Sequence, residues 1–385
     1  MRVDQQYIND ICSELVQIDS RNPTLTQDGP GEEEIGEQVG SYLKDLGCQV
    51  AVQQLAPGRV NVVGVIPGAE EGPSLLWNGH LDTVGVEGMK EPFSGRTAEG
   101  RLYGRGSQDM KGSLAAMLGA VKALVDQEVR LKGDLILAFV ADEEASSLGT
   151  ENLVHRFKAD AAIVTEPTDL NLVLAHRGLS WYRVTTHGRA AHGSRFEEGA
   201  DAIMHMGRLL AKLDDLEQEV RNRSPHPLTG PPSLHTSTIE GGTDICTYPA
   251  HCRLELEHRT IPGEKENEIR SELESLLKQL EVEDPEFQAE LELLLHRPVL
   301  ETTAESPFCQ VVQSSYERVL GCPPVLTGAA YWSDAALLAE AGMEALLLGP
   351  VGGGLHGAEE WVDLKSLAQL AAVLAETARS YCGTV

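Results

Sequence analysis

The stretch Ser74-Leu75-Leu76-Trp77-Asn78-Gly79-His80-Leu81-Asp82 decides how the chain is read. Residues 74–78 are a short apolar run without alternation, as expected of a strand buried on both faces. The run stops on a histidine and a carboxylate. The same grammar recurs along the chain. Asp134 to Val140 is followed by Asp142-Glu143-Glu144, and Ala161 to Val164 by Thr165-Glu166-Pro167. Ala345 to Leu348 is followed by a glycine-rich loop carrying Leu355-His356-Gly357-Ala358-Glu359-Glu360. A looser strand spans Val60 to Ile66. Amphipathic helices are predicted over 5–19 and 32–46, the second ending at Gly47, and an Ala/Leu/Met-rich helix over 113–127. Strands alternating with helices predict an α/β fold, a mainly parallel sheet with helices on both faces.

The pattern changes in the middle of the chain. Strands are predicted at 181–186, 234–240, 251–257 and 287–295, with helices at 199–214 and 264–280. The last strand is expected to put Phe287, Ala289, Leu291, Leu293 and Leu295 on one face. The order β-α-β-β-α-β is the ferredoxin-like α+β arrangement, which closes as a unit of its own. Ser224 to Pro232 reads as a surface loop within it. The first pattern then returns, with helices near 305–319 and 333–341 and from Asp363. The expected domains are therefore 1–177, an inserted 178–296, and 297–385. No repeat of fixed period is visible.

Composition limits the function. With Lys+Arg 31 against Asp+Glu 59, the net charge is −28, which argues against a nucleic-acid backbone or an anionic membrane as partner. No apolar run approaches the ~20 residues of a membrane span. The first residues hold no apolar signal core, and the seven cysteines are scattered without a Cys-x-x-Cys pair. A reduced, cytoplasmic protein is expected.

Ligands of open α/β sheets bind beyond the carboxyl ends of the strands. Four of the loops named above lie there. A fifth segment, Gly104 to Gly112 with Asp109 at its centre, leads into the helix at 113. Taken singly, a His-x-Asp is an ordinary surface dipeptide and a Glu pair an ordinary helix start. Together they bring two histidines and several carboxylates, but no cysteine, to one rim. Such a set suits Zn²⁺, Co²⁺ or Mn²⁺. Carboxylates crowded there would repel one another unless cations intervened. There are more ligands than one tetrahedral ion uses, so two ions are expected.

The motifs resemble, in order and over nearly the whole chain, those of the M20 metallopeptidases and deacylases. Gly79-His80-Leu81-Asp82, residues 104–112, Glu143-Glu144, Thr165 to Thr168, Gly188-Arg189-Ala190-Ala191-His192-Gly193-Ser194 and Leu355 to Glu360 carry the resemblance. It implies a zinc-peptidase-like catalytic domain with an inserted lid and dimerisation domain. It implies that Asp109 bridges two ions, that His80 and Glu166 complete one site, and that Glu144 and His356 complete the other. Asp82 would hydrogen-bond the far nitrogen of His80. Glu143 would be the general base acting on a metal-bridging water, and His192 would reach the partner subunit's site. Arg259 would bind a substrate carboxylate, and Gly328 would lie near the substrate. Cys246 stands where the family commonly has Asn, so an amide contact is lost there.

The resemblance implies a two-metal amidohydrolase that removes an N-acyl group from an amino acid, most similar to the acetylornithine deacetylase branch, and acting as a homodimer. A carboxypeptidase or dipeptidase, or a succinyl-diaminopimelate desuccinylase-like enzyme, is the alternative within that chemistry. A non-catalytic metal- or peptide-binding protein is the alternative outside it. The presence of Glu143 counts against the last, since a binding protein needs no base.

Overall fold

The computed structural model describes residues 1–265 and 267–385. The chain forms two compact units. One is Met1–Leu174, Thr302–Thr327 and Ser333–Val385, the other Ala175–Glu301 and Gly328–Trp332.

The first unit is built on a sheet with a parallel centre. Leu135–Val140, Leu75–His80, Ala161–Val164 and Glu344–Leu347 lie side by side in that order. All but the half-buried Glu344 are buried, which is why these runs are apolar without alternation. His80 is opposite Val140, and Val164 is opposite both Asn78 and Leu347. The four carboxyl ends therefore reach one rim together.

Both edges are antiparallel, a common addition to parallel sheets. Arg59–Ile66 and then Gln49–Ala56 extend one side, and Leu172–His176 adjoins the other. Neither Gln49–Ala56 nor Leu172–His176 is predicted from the sequence. The first is an edge strand whose apolar pattern is broken by Gln49, Gln53 and Gln54; Gln53 is its one buried residue and accepts from Asn61 Nδ2 at 2.9 Å. The second is only five residues long.

Helix Gly112–Asp126 is buried along most of its length, so it is apolar all round rather than on one stripe. It packs against Gln5–Gln17 and Leu364–Tyr381. The side chains of Asp4 and Asp363 cap those two helices by accepting from Tyr7 N at 3.1 Å and Ser366 N at 2.7 Å. A second, small antiparallel sheet joins Gly352–Gly353, Trp361–Asp363, Arg101–Tyr103 and Arg96–Ala98. Strands of two or three residues leave no periodicity to read. Yet this sheet ties the segment around His356 to the segment leading to Asp109.

The second unit has the β-α-β-β-α-β order. Its four strands lie in the order Ser233–Gly241, His251–Thr260, Gly178–His187, Gln288–Arg297, all antiparallel. Helices Ala202–Arg221 and Glu268–Glu283 close a core around Tyr182, Leu209, Leu213, Leu254, Leu273 and Phe287. The last strand departs from expectation. A register shift between Leu293 and Leu295 breaks the alternation, and Leu293 is exposed, as a β-bulge does by inserting an unpaired residue. Cys12, Cys48, Cys252, Cys309 and Cys382 are buried and none of the seven cysteines is bridged. Among the described residues no helix is long and apolar enough to cross a membrane.

Candidate metal centre

Side chains from five segments meet at the rim of the first unit. His80, Asp109 and Glu166 form one group and Asp109, Glu144 and His356 a second, each with ligand atoms within 4.8 Å of one another. Asp109 belongs to both. Its Oδ1 is 3.0 Å from His80 Nε2 and its Oδ2 is 3.3 Å from His356 Nε2. Glu144 Oε2 is 3.2 Å from His356 Nε2, and Glu166 Oε1 is 3.8 Å from His80 Nε2. One carboxylate thus offers an oxygen to each group, the geometry of a bridging ligand.

Local structure explains each placement. His80 ends a central strand. Asp109 lies in the irregular turn Ser107–Lys111 ahead of helix Gly112–Asp126. Glu360 clamps that turn: its Oε1 accepts from Gln108 N at 2.9 Å and Asp109 N at 3.1 Å, and its Oε2 from Gly106 N at 3.0 Å and Arg105 Nη1 at 2.6 Å. Arg105 also reaches the Gly357 carbonyl at 3.0 Å, linking the turn to the loop of His356. That histidine is held at φ 56°, a conformation that the surrounding loop must enforce. Glu166 follows the strand Ala161–Val164. A Cβ on Gly349 would stand 1.9 Å from the Glu166 carbonyl oxygen, so only glycine lets these two loops touch.

Asp82 requires a correction. His80 Nδ1 donates to the main-chain carbonyl of Asp82 at 2.8 Å, while the nearer carboxylate oxygen stands 3.7 Å away. That bond turns Nε2 toward the cluster. The Asp82 carboxylate instead accepts from Glu143 N at 3.1 Å and Glu144 N at 3.2 Å. Two adjacent amides outcompete the imidazole because they converge on the carboxylate from the neighbouring loop.

The electrostatics are those of charges packed without enough cations. Burial, then the charge of Asp109, pushes Glu144 up to about 7. Burial outweighs the pull of His80 and takes Glu166 up to about 8. Burial and then Glu166 drive Glu143 well above the ordinary glutamate value. Hydrogen bonds to Asp109 and Glu144 raise His356 to about 10. Burial opposes protonation of His80, but its bond to Asp109 and the nearby carboxylates prevail and hold it well above the ordinary histidine value. Burial likewise opposes ionisation of Asp109, yet its two histidine partners hold it well below the ordinary value. Glu144 Oε1 and Glu166 Oε1 are buried and accept no hydrogen bond. Buried carboxylate oxygens without donors, beside two imidazoles, fit divalent cations.

A pH prediction follows for the metal-free protein. Glu144 and Glu166 have folded values raised from 4.5, so their contribution is fully present below that value and lost as pH rises through about 7 to 8. His356, raised from 6.5 to about 10, contributes fully below 6.5 and loses that contribution as pH rises toward 10. Both act in one direction. The gain in Tm on adding Zn²⁺ or Co²⁺ is therefore expected to grow by several degrees between pH 5 and 9. A gain that stays flat or shrinks in paired melting curves would contradict this account.

Three buried groups near the centre escape sequence reasoning. Asn22 and Arg59 stand in segments with no signal of chemistry. Asp334 accepts from Thr150 Oγ1 at 2.6 Å, and burial, against that bond, raises it to about 6. Glu360 and Arg105 lie inside the motifs 355–360 and 104–112, but only folding reveals their bonds.

The remaining expected site residues belong to the second unit. His192 is exposed, with Nδ1 2.8 Å from Ser194 Oγ. The Cys246 carbonyl accepts from Gly193 N at 2.7 Å, and the Cys246 amide donates to Asp244 Oδ1 at 2.8 Å. Arg259 donates through Nε to Glu257 Oε1 at 2.6 Å. A Cβ on Gly328 would stand 2.6 Å from the Leu228 carbonyl oxygen.

The fold and the two ligand groups that share Asp109 place the chain among the metal-binding hydrolases of amide bonds. Residues 76–380 match the model of peptidase family M20/M25/M40, and the chain belongs to that family. It is 27% identical to an N-formyl-4-amino-5-aminomethyl-2-methylpyrimidine deformylase of Bacillus subtilis (strain 168), covering 98% of this chain and 97% of the relative. It is 30% identical to an acetylornithine deacetylase of Myxococcus xanthus, covering 84% of this chain and 85% of the relative. Its fold is similar to that of aminopeptidase PepT from Bacillus cereus ATCC 10987, with TM-score 0.80 at 19% identity over 99% of this chain and 100% of that one. It is also similar to YXEP of Bacillus subtilis, described as a dinuclear metal-binding peptidase, with TM-score 0.76 at 15% identity over 97% of each chain.

Proposed function

We propose that the protein is a two-metal amidohydrolase that removes an N-acyl group from an amino acid, most like acetylornithine deacetylase. The observation that carries the reading is Glu143. It belongs to neither ligand group, yet its carboxyl lies among the charges of Glu166, His80, Asp334 and Glu144. A carboxyl left free of ligation beside a ligand cluster is placed to move a proton.

His80, Asp109 and Glu166 would hold one ion, and Asp109, Glu144 and His356 the other, Zn²⁺ or Co²⁺ suiting the donors. When bound, the ions supply Lewis acidity to the amide carbonyl and acidity to the attacking water. Glu143 takes the proton from that water and returns it to the leaving nitrogen. Asp82 holds the Glu143 and Glu144 amides, so it sets where the base stands. Arg259 keeps its outer guanidinium edge for a substrate carboxylate while Glu257 fixes its Nε. Cys246 offers no amide there, and Gly328 admits the neighbouring backbone closely. The second unit acts as lid and homodimer interface through its exposed edge strand Ser233–Gly241, with His192 serving the partner's site. The enzyme works in the cytoplasm on small molecules.

The relative at 98% coverage removes a formyl group from a pyrimidine by its name, which supports a deformylase as the second reading. Metal-loaded protein should be assayed on N-acetylornithine, other N-acetyl and N-succinyl amino acids, the formylaminomethyl pyrimidine and dipeptides. The expected outcome is highest kcat/KM on an N-acetyl amino acid, by about tenfold or more, the scale on which pockets separate close analogues. Preference for the formyl pyrimidine or a dipeptide, or no turnover at all, overturns the assignment.

A further inference from the structure

Beside the ligand groups runs a chain of buried charged side chains that ligates nothing. Glu32 is fully buried and Asp142 and Arg59 nearly so. Arg59 grips Glu32 with two bonds, Nε to Oε2 at 2.7 Å and Nη2 to Oε1 at 2.9 Å. Its Nη2 also donates to Asp142 Oδ1 at 2.6 Å. Asn22 Nδ2 donates both to that Asp142 oxygen, at 3.0 Å, and to Asp82 Oδ2, at 2.8 Å. Asp82 in turn receives the amides of Glu143 and Glu144. The turn itself is tightly wound: Asp142 has φ 70°, and its carbonyl accepts from Ser147 N at 2.6 Å.

Buried ion pairs contribute little net stability, because desolvation offsets their attraction, and well-packed apolar residues often do as well. What such a group does supply is direction. Asp82 and Asp142 are two buried carboxylates sharing the two amide hydrogens of one asparagine. The guanidinium bonded to Asp142 keeps them from repelling each other. Arg59 is also firmly mounted, as the first residue of a strand paired to Leu135–Val140, the strand that delivers the turn.

We propose that Arg59 is a positioning residue for the reaction: by anchoring Asp142, it holds the turn that presents Glu143 and Glu144. The inference rests on the roles given above to those two glutamates. Without the guanidinium, Asp142 and Asp82 separate, and the turn carrying both amides shifts. A displacement near 1 Å at a reacting group costs about 10²-fold in rate, and loss of an outer partner of a metal ligand costs about 10–100-fold in affinity.

The test compares Arg59→Met, Asp142→Asn, Glu143→Gln and the double variant Arg59→Met/Glu143→Gln in the full chain. Asp142→Asn keeps the shape of the turn and the Glu32–Arg59 pair, so it decides the matter should Arg59→Met fail to fold. Two readouts are taken. The first is a Co²⁺ titration followed by visible absorption and calorimetry. Arg59→Met and Asp142→Asn are expected to weaken one of the two ions by about 10–100-fold and to change its absorption band, while Glu143→Gln leaves both ions tight. The second is kcat and KM on the best substrate of the panel. With Co²⁺ saturating both ligand groups, Arg59→Met is expected to lower kcat by about 10–100-fold with KM within about threefold, and to cost almost nothing further in the Glu143→Gln background, the non-additivity of residues acting as a unit. Unchanged Co²⁺ binding, or an equal factor lost in both backgrounds, overturns the proposal. If instead Glu143→Gln keeps full activity, the reading of the base fails, and the Co²⁺ titration still decides Arg59 through Glu144.

Discussion

Glu143→Gln is expected to lower kcat by about 10²–10⁴, the range of general acid–base catalysis, with both ions still bound. That is about 3–5 kcal/mol of barrier. The substitution keeps the size of the side chain and the amide that Asp82 holds, at 3.1 Å, so the turn should stay in place. What disappears, in the proposed mechanism, is the proton acceptor. Neither ligand group includes Glu143, which is why metal content should be unaffected. The measurement is kcat at saturating substrate, with elemental analysis of the same sample. Retained activity with metal bound would remove Glu143 from the mechanism. Loss of one ion would make it a ligand instead.

The second large effect is at Asp109. Asp109→Ala should abolish tight binding of both ions and all measurable activity, whereas His356→Ala should leave one ion in place. The asymmetry comes from geometry. Asp109 Oδ1 and Oδ2 face different histidines, at 3.0 and 3.3 Å, so removing the carboxylate opens both groups at once. His356 enters only the second group, and it is also the more exposed of the two histidines. Metal-stripped protein reloaded with Zn²⁺ and counted per chain separates the cases. Equal loss in both variants would mean that the two groups do not share Asp109 as a bridge.

Much of this was legible before folding. Buried central strands must be apolar on both faces, so 74–78, 134–140, 161–164 and 345–348 stood out. The residues just past them are polar for no packing reason, so His80, Glu144, Glu166 and His356 stood out too. The edge strand Gln49–Ala56 did not, because three glutamines interrupt its apolar run. The little sheet around Trp361–Asp363 did not, because it is too short to have a period.

The partners of those residues were another matter. The family resemblance implies that Asp82 supports the ring of His80. Asp82 proved to cap amides 61 and 62 positions away, and the ring found the main chain instead. Arg59 and Asn22 are ordinary polar residues until the fold buries them, and Asp142 and Glu360, though they stand inside motifs, find their partners only then. A hydrogen bond forms between groups that folding brings within about 3 Å of one another, whatever their separation along the chain. Local composition therefore determined which elements form and which loops carry metal-seeking side chains. Which atom each side chain faces, and so which amides the Asp82 carboxylate accepts and which two carboxylates the Arg59 guanidinium joins, was decided only when distant loops were brought together and water was excluded from between them.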